Sequence, residues 1–206
     1  MSDESVAELE ELAKRAAVCT ACDLAGTRTR VVFGVGSPTA DVMFVGEAPG
    51  FHEDQQGVPF VGAAGQLLDR LWGEIGIARD DVYIGNVLKC RPPDNRDPRP
   101  DEIEACGDYL RRQLTLIDPR VVVTLGNFAT KLLLKRDVGI TRLRGRVYPW
   151  WNRCLVPTFH PAAALRGGDR VLGQMRDDFG LVKAVLDEAE TVETADPASE
   201  QLGLFS

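Results

Sequence analysis

Four short apolar runs, VMFVG (42–46), VYIGNVL (82–88), VVVTLG (121–126) and CLVPTFH (154–160), each stop at a polar or glycine-rich cluster. The runs are continuous rather than alternating, which is the pattern of strands covered on both faces. Between them lie helical spacings. Residues 5–18 set Val6, Leu9, Leu12 and Ala13 on one face behind Ser5, and residues 62–77 repeat Leu67, Leu68, Leu71, Trp72 and Ile75. Further helices are predicted over 101–116, 127–134 and 169–190. Strands alternating with helices imply right-handed βαβ units. The expected fold is therefore α/β, a three-layer α/β/α sandwich around a mainly parallel four-stranded sheet. Residues 31–34 are expected to add a short edge strand, and the four prolines of 91–102 predict a loop. In an open sheet of this kind a site forms in the crevice beyond the carboxyl ends of the strands.

The 206 residues suit one domain, expected over 1–186, whose first helix runs straight into Cys19. No apolar run reaches eighteen residues and the N-terminus is acidic, so neither a membrane helix nor a secretory signal is expected. The chain reads as a soluble cytoplasmic protein. Residues 187–206 read as an acidic, disordered tail.

A formal charge of −7 argues at first against a nucleic-acid partner. The acids, however, concentrate at the ends: residues 1–18 carry five acids and two bases, residues 187–206 carry six acids and no base. The remaining body holds 20 acids and 22 bases. Within 135–170, Lys135, Arg136, Arg142, Arg144, Arg146, Arg153, Arg166 and Arg170 face only Asp137 and Asp169, which makes this stretch the candidate DNA-facing surface. A solvated charged face is the plainer reading of the same run.

The clusters that end the strands carry the chemistry. GEAPG (46–50) offers glycines for close backbone approach and one ionisable group, Glu47. GNVLKC (85–90) follows the second strand, and HPAAALR (160–166) follows the fourth. Cys19 and Cys22 form C-x2-C, and Cys90 and Cys106 have fifteen residues between them. Four thiolates in two pairs suit a closed metal site, zinc or a [4Fe–4S] cluster, better than a disulfide framework.

Together these motifs resemble a family 4 uracil-DNA glycosylase, the iron–sulfur branch of the uracil-DNA glycosylase superfamily, over residues 19–186. The resemblance implies an enzyme that flips uracil out of DNA and hydrolyses its N-glycosidic bond. Such an enzyme must hold the extruded base by its edge and stabilise the charge left on it. His160 would donate, as a neutral imidazole, to the developing uracil oxyanion. Asn86 would read the base: its amide gives to O4 and accepts from N3–H, whereas cytosine presents the opposite pair. Phe60 would stack on uracil, and Gly46 and Ala48 would line the base from the GEAPG turn. Glu47 would orient water or stabilise the cationic sugar. Many superfamily members place an Asp where Ala48 stands, so Asn95 in the proline-rich loop is a second candidate for the water. Ala162, Leu165 and Arg166 would meet DNA, with Leu165 as a wedge and Arg166 on a phosphate. Each residue also has an ordinary structural reading: a strand-capping His, a turn Asn, a core Phe, an N-cap Glu, a helix start. The resemblance implies a [4Fe–4S] cluster on Cys19, Cys22, Cys90 and Cys106, leaving Cys154 as a buried bystander.

Two other readings stay open at this point, a broader mismatch glycosylase of the neighbouring iron–sulfur family and a metal-containing DNA-binding module without catalysis. The last residues, QLGLFS, resemble the QLxLF peptide by which bacterial DNA-maintenance proteins dock on the replicative sliding clamp, through Gln201, Leu202, Leu204 and Phe205. The expected partners are therefore uracil-containing DNA and a sliding clamp, with no membrane, for a monomer associated with the nucleoid.

Overall fold

Successive residues of the core strands bury on opposite sides, and each side has its own set of helices. The computed structural model describes residues 3–188. In chain order the elements are α1 (Asp3–Ala17), β1 (Val35–Gly36), β2 (Val42–Gly46), α2 (Phe51–Gln56), α3 (Ala63–Glu74), β3 (Tyr83–Asn86) and α4 (Pro100–Ile117). They continue as β4 (Val121–Leu125), α5 (Asn127–Leu134), α6 (Ile140–Leu143), β5 (Tyr148–Trp150), β6 (Arg153–Thr158) and α7 (Pro161–Asp187). Val42 and Phe44 of β2, Ile84 of β3, Val121 and Val123 of β4 and Val156 of β6 pack under α3 and α7. Met43, Val45, Tyr83, Val122 and Leu155 face the other way, under α1, α4 and α5. That alternation makes the three layers. The ring of Phe44, fully buried, meets Trp72 of α3 at 5.1 Å and Phe179 of α7 at 5.7 Å between centroids, so one strand residue locks both helices of its face.

The strand order is β1-β3-β2-β4-β6-β5. The four inner strands are parallel, as the continuous apolar runs require. The sheet nevertheless has six strands rather than the expected four, because β1 and β5 add antiparallel edges. Residues 31–34 are not the edge strand; the pairing falls directly after them, at Val35 and Gly36. Gly36 could be no other residue there, since its φ is +127° and a Cβ would lie 1.9 Å from the Val82 carbonyl oxygen. β5 holds three residues with a proline in the middle, which confines it to an edge.

α7 begins at Pro161, eight residues before the expected start. His160 caps it, Pro161 is well placed in its first turn, and Gly168 breaks the axis with φ +65°. Behind the break, Asp178 is fully buried. Its carboxylate accepts from Arg144 Nε at 2.9 Å and Nη2 at 2.8 Å, from the Gly145 amide at 2.9 Å and from Thr158 Oγ1 at 2.7 Å. One acid thus ties α6, the end of β6 and α7 together, two residues before His160. Arg144 and also Arg153, paired with Asp118 at 2.6 Å, are therefore internal struts, which removes both from the expected DNA-facing surface.

Among the described residues no helix is long and apolar enough to cross a membrane. Residues 189–206, most of the expected acidic tail and with it Gln201, Leu202, Leu204 and Phe205, lie outside the described residues.

Replacing one member of a buried ion pair strands the other. Asp178→Ala is expected to lower the unfolding free energy by about 3–5 kcal/mol in urea titration; a loss below about 1 kcal/mol would show that Thr158 and Arg144 find other partners.

Candidate active site

The carboxyl ends of the parallel strands meet on one side of the sheet. The last rung of the β2–β3 ladder sets Gly46 opposite Asn86, and two further bonds carry the pairing past the strands: Val87 N to Gly46 O at 2.9 Å and Leu88 N to Glu47 O at 3.0 Å. The turn at 46–50 and the segment 86–90 are thereby held side by side. A cavity of about 470 Å³ opens over them, lined by Glu47, Ala48, Gly50, Glu53, Phe60, Asn86, Asn95, Arg96, Ala162, His160 and Arg166, a size suited to one nucleobase with part of its sugar.

Asn86 is 2% exposed, and its side-chain Oδ1 is buried without a hydrogen-bond partner. A buried acceptor with nothing to accept from is costly, and here it lies on the wall of a cavity. Gly46 makes this approach possible: a Cβ there would stand 2.3 Å from Asn86 Oδ1 and 2.8 Å from the Phe60 ring. Phe60 itself adopts φ +53°, a region that a bulky residue enters only when its surroundings dictate it. Those surroundings are visible. Arg79 Nη2 donates to the carbonyls of Pro59 at 2.9 Å and Phe60 at 3.3 Å, and a Cβ at Gly65 would fall 1.8 Å from the Phe60 oxygen.

His160 joins from β6, its ring centroid 5.7 Å from that of Phe60. Its Nδ1 accepts from the Ala162 amide at 3.2 Å, as the N-cap of α7. With Nδ1 acting as acceptor, the proton of the neutral ring sits on Nε2. Burial pushes the imidazole below its ordinary range, Arg166 pushes it further down, and Glu53 opposes them. The ring is thus neutral at pH 7 with one defined donor. Glu47 is half-buried; burial raises its carboxyl above the usual range and Asp97 raises it further.

Glu47, Asn86 and His160 from the strand tips and Phe60 from the loop before α3 line this cavity together with Ala48, Asn95, Ala162 and Arg166, whereas Gly46, expected against the base, stands against Asn86 and Phe60 and does not line it. Asn95 stands on the exposed rim, and its Oδ1 accepts from Arg91 Nε at 2.7 Å. Leu165 is 51% exposed beside the mouth and does not line the cavity. Two charged lining residues, Glu53 and Arg96, are absent from the sequence-based site. Glu53 reaches in from α2 while accepting from the Val61 amide at 3.1 Å, and Arg96 is anchored by the buried Glu102 carboxylate through both of its terminal nitrogens. The six-residue polar α2 carries no periodicity that would have revealed Glu53.

The four cysteines line a second, small cavity with Arg28, Lys89 and Tyr109. Cys19 and Cys22 follow α1, Cys90 follows the Asn86 segment and Cys106 lies in α4, so three parts of the chain meet there. Among the described residues no group of His, Cys, Asp and Glu is drawn tightly enough to hold a single metal ion. All five cysteines are free thiols, Cys154 only partly buried. Burial pushes Cys22 and Cys90 up, and Cys106 to about 11, so these thiols ionise only against positive charge. Arg28 Nη1 lies 3.5 Å from Cys90 Sγ, and the Lys89 amide donates to Cys106 Sγ at 3.2 Å. Burial brings the Lys89 ammonium down to about 8, which leaves it charged at neutral pH.

An open α/β sheet with an unsatisfied amide, a neutral histidine donor and a base-sized cavity at its carboxyl edge describes a nucleobase-handling enzyme. Residues 33–181 match the family model of the uracil DNA glycosylase superfamily. A type-4 uracil-DNA glycosylase of Archaeoglobus fulgidus is 48% identical over 165 residues, 76% of this chain and 83% of that protein. Type-4 enzymes of Sulfurisphaera tokodaii (49% over 166 residues; 76% of each chain) and Thermotoga maritima (48% over 160 residues; 77% of this chain, 83% of theirs) are similar to the same extent. A type-5 uracil-DNA glycosylase of Thermus thermophilus is 37% identical over 120 residues, covering 51% of this chain and 54% of that protein. The chain belongs to the type-4 branch of the uracil-DNA glycosylase superfamily.

The chain's only other histidine is His52, so the state of His160 can be read directly in a His52→Gln background. Nitrogen NMR should show its imidazole neutral, protonated on Nε2, at pH 6.5, and titrating below that value. Arg166→Gln removes a repelling charge and should move the titration to higher pH; an imidazole that titrates at or above 6.5 in both proteins contradicts the assignment.

Proposed function

We propose that this chain is a monofunctional uracil-DNA glycosylase, which hydrolyses the bond between uracil N1 and deoxyribose C1′ and leaves free uracil and an abasic site. The observation that carries the reading is the orphaned Asn86 Oδ1 on the cavity wall, because N3–H of an extruded uracil supplies the missing donor. Cytosine has no proton on N3 and meets that oxygen with another lone pair, which costs about 1–3 kcal/mol for each group left unsatisfied.

As the N1–C1′ bond lengthens, negative charge collects on the base. The Nε2–H of His160 is available as a donor to it at no reorganisation, since the α7 cap already holds the tautomer. Positive charge collects on the sugar, and the Glu47 carboxylate, on the cavity wall, is suited to stabilise it or to orient the attacking water. Water then gives its hydroxyl to C1′ and its proton to the departing uracil. Asn95 on the rim is a second group able to hold that water. Phe60 offers its ring as a floor for the base, while Leu165, exposed beside the mouth, is suited to fill the gap left in the duplex and Arg166 to hold a phosphate. Arg142, Arg146 and Arg170 are exposed and remain as the phosphate-facing charge of the basic stretch.

Cys19, Cys22, Cys90 and Cys106 fit a thiolate-held [4Fe–4S] cluster: four thiols line one cavity, with the cations of Arg28 and Lys89 beside them. Its contribution would be to cross-link α1, the 86–96 segment and α4 beside the site, because breaking an N-glycosidic bond transfers no electrons. The tail residues Gln201, Leu202, Leu204 and Phe205 are proposed to dock on a sliding clamp, which would deliver the enzyme to newly made DNA in the cytoplasm. The shorter match to a type-5 relative leaves the broad mismatch reading second.

Release of uracil from a labelled oligonucleotide tests the activity. His160→Ala should lower kcat by roughly 10²–10³-fold, and Asn86→Asp should lower kcat/KM by roughly 10²-fold; normal turnover in both variants refutes the site. Protein purified without air should hold about four irons per chain and absorb near 400 nm, with the iron lost in Cys106→Ser; stoichiometric zinc instead would replace the cluster assignment. Clamp pull-down should fail once the last six residues are removed, and undiminished capture discards that partner.

A further inference from the structure

Lys89 is 1% exposed, and among the described residues no carboxylate pairs with it. Burying an ammonium with no carboxylate against it costs several kcal/mol, offset only in part by the Cys106 sulfur, while a methionine, one heavy atom shorter, would fill most of the space with no such penalty. The value of the charge must lie in what it holds. Nζ donates to the backbone carbonyl of Asn86 at 2.8 Å and to Gln113 Oε1 at 2.6 Å, and it lies 5.9 Å from the centroid of the Phe33 ring. Gln113, fully buried, is itself fixed, giving Nε2 to the Phe33 carbonyl at 2.9 Å and to the Tyr83 hydroxyl at 3.0 Å.

Asn86 has a particular need for such a brace. Its Oδ1 must stay free for the base, so that atom cannot be tied down by the protein, and none of its bonds here do so. Orientation has to come through the backbone. The ladder fixes one side of the segment through Val87 N to Gly46 O, and the ammonium fixes the carbonyl of residue 86. We infer that Lys89 is a positioning residue for base recognition, braced between the Asn86 carbonyl and Gln113 so that the carboxamide keeps its register on the extruded pyrimidine. The Lys89 amide on Cys106 Sγ places the same residue against the four-cysteine cavity. This inference rests on the uracil-reading role given to Asn86 above.

The test separates grip on the base from grip on DNA. Lys89→Met should raise the inhibition constant of free uracil by roughly 10- to 100-fold, the worth of a hydrogen bond to a charged group. Its affinity for abasic-site duplex, which offers no base to Asn86, should stay within about twofold, and its iron content per chain should match the parent's. If Lys89→Met does not fold, Gln113→Met, which leaves the ammonium and removes one of its acceptors, should show the same split at smaller size. Unchanged uracil inhibition, or equal loss for uracil and abasic DNA, overturns the inference. A parent protein that neither releases nor binds uracil removes the underlying reading instead, and does so before any variant is compared.

Discussion

Gly46 stands opposite Asn86 on the final rung of a parallel ladder, and the site is built outward from that register. The pairing continues for two bonds beyond the strands, so the turn that carries Glu47 and the segment that carries Asn86 share one frame. A slip of one residue would turn Asn86 into the layer under α4 and bring Gly85 to the cavity. Register here is protected from both faces, since Phe44 and Ile84 are committed to one core and Met43, Val45 and Tyr83 to the other. Recognition of a single base thus depends on the burial of side chains far from it.

The inner strands are legible because each is a continuous apolar run, and all four fall on those runs. Edge strands were not, since β5 has three residues with a proline among them and β1 has two. The start of α7 was hidden by Gly167 and Gly168, which read as a loop and do break the helical geometry, although the helix resumes at once. In the site, Asn86, His160 and Glu47 sit next to strand ends, whereas Phe60, in the loop before α3, is placed only by the family resemblance. Glu53 and Arg96 belong to short or proline-rich segments with no period, and Lys89 carries no expectation in the sequence. The one hint was its place within VLKC, where both neighbours are apolar.

Two of the basic residues between 135 and 170 face inward. Eight basic residues between 135 and 170 suggested one solvent-facing band, but Arg144 and Arg153 turn inward to Asp178 and Asp118. Arginine suits such duty because its planar fork satisfies several acceptors at once, as Arg144 does with Asp178 and the Gln174 carbonyl. Composition alone cannot tell a strut from a phosphate contact; the difference lies in which acids, distant in sequence, come to stand opposite.

The break at Gly168 divides the longest helix into parts with separate duties. Val171, Met175, Phe179 and Val182, the bulky anchors, all lie after it, whereas only Pro161 and Ala164 are buried ahead of it. The forward half can therefore change its outward residues, and with them the groove or strand geometry it accepts, while the interior keeps its packing. Evolution of substrate context in such a chain is free to proceed on a few turns of helix without renegotiating the fold.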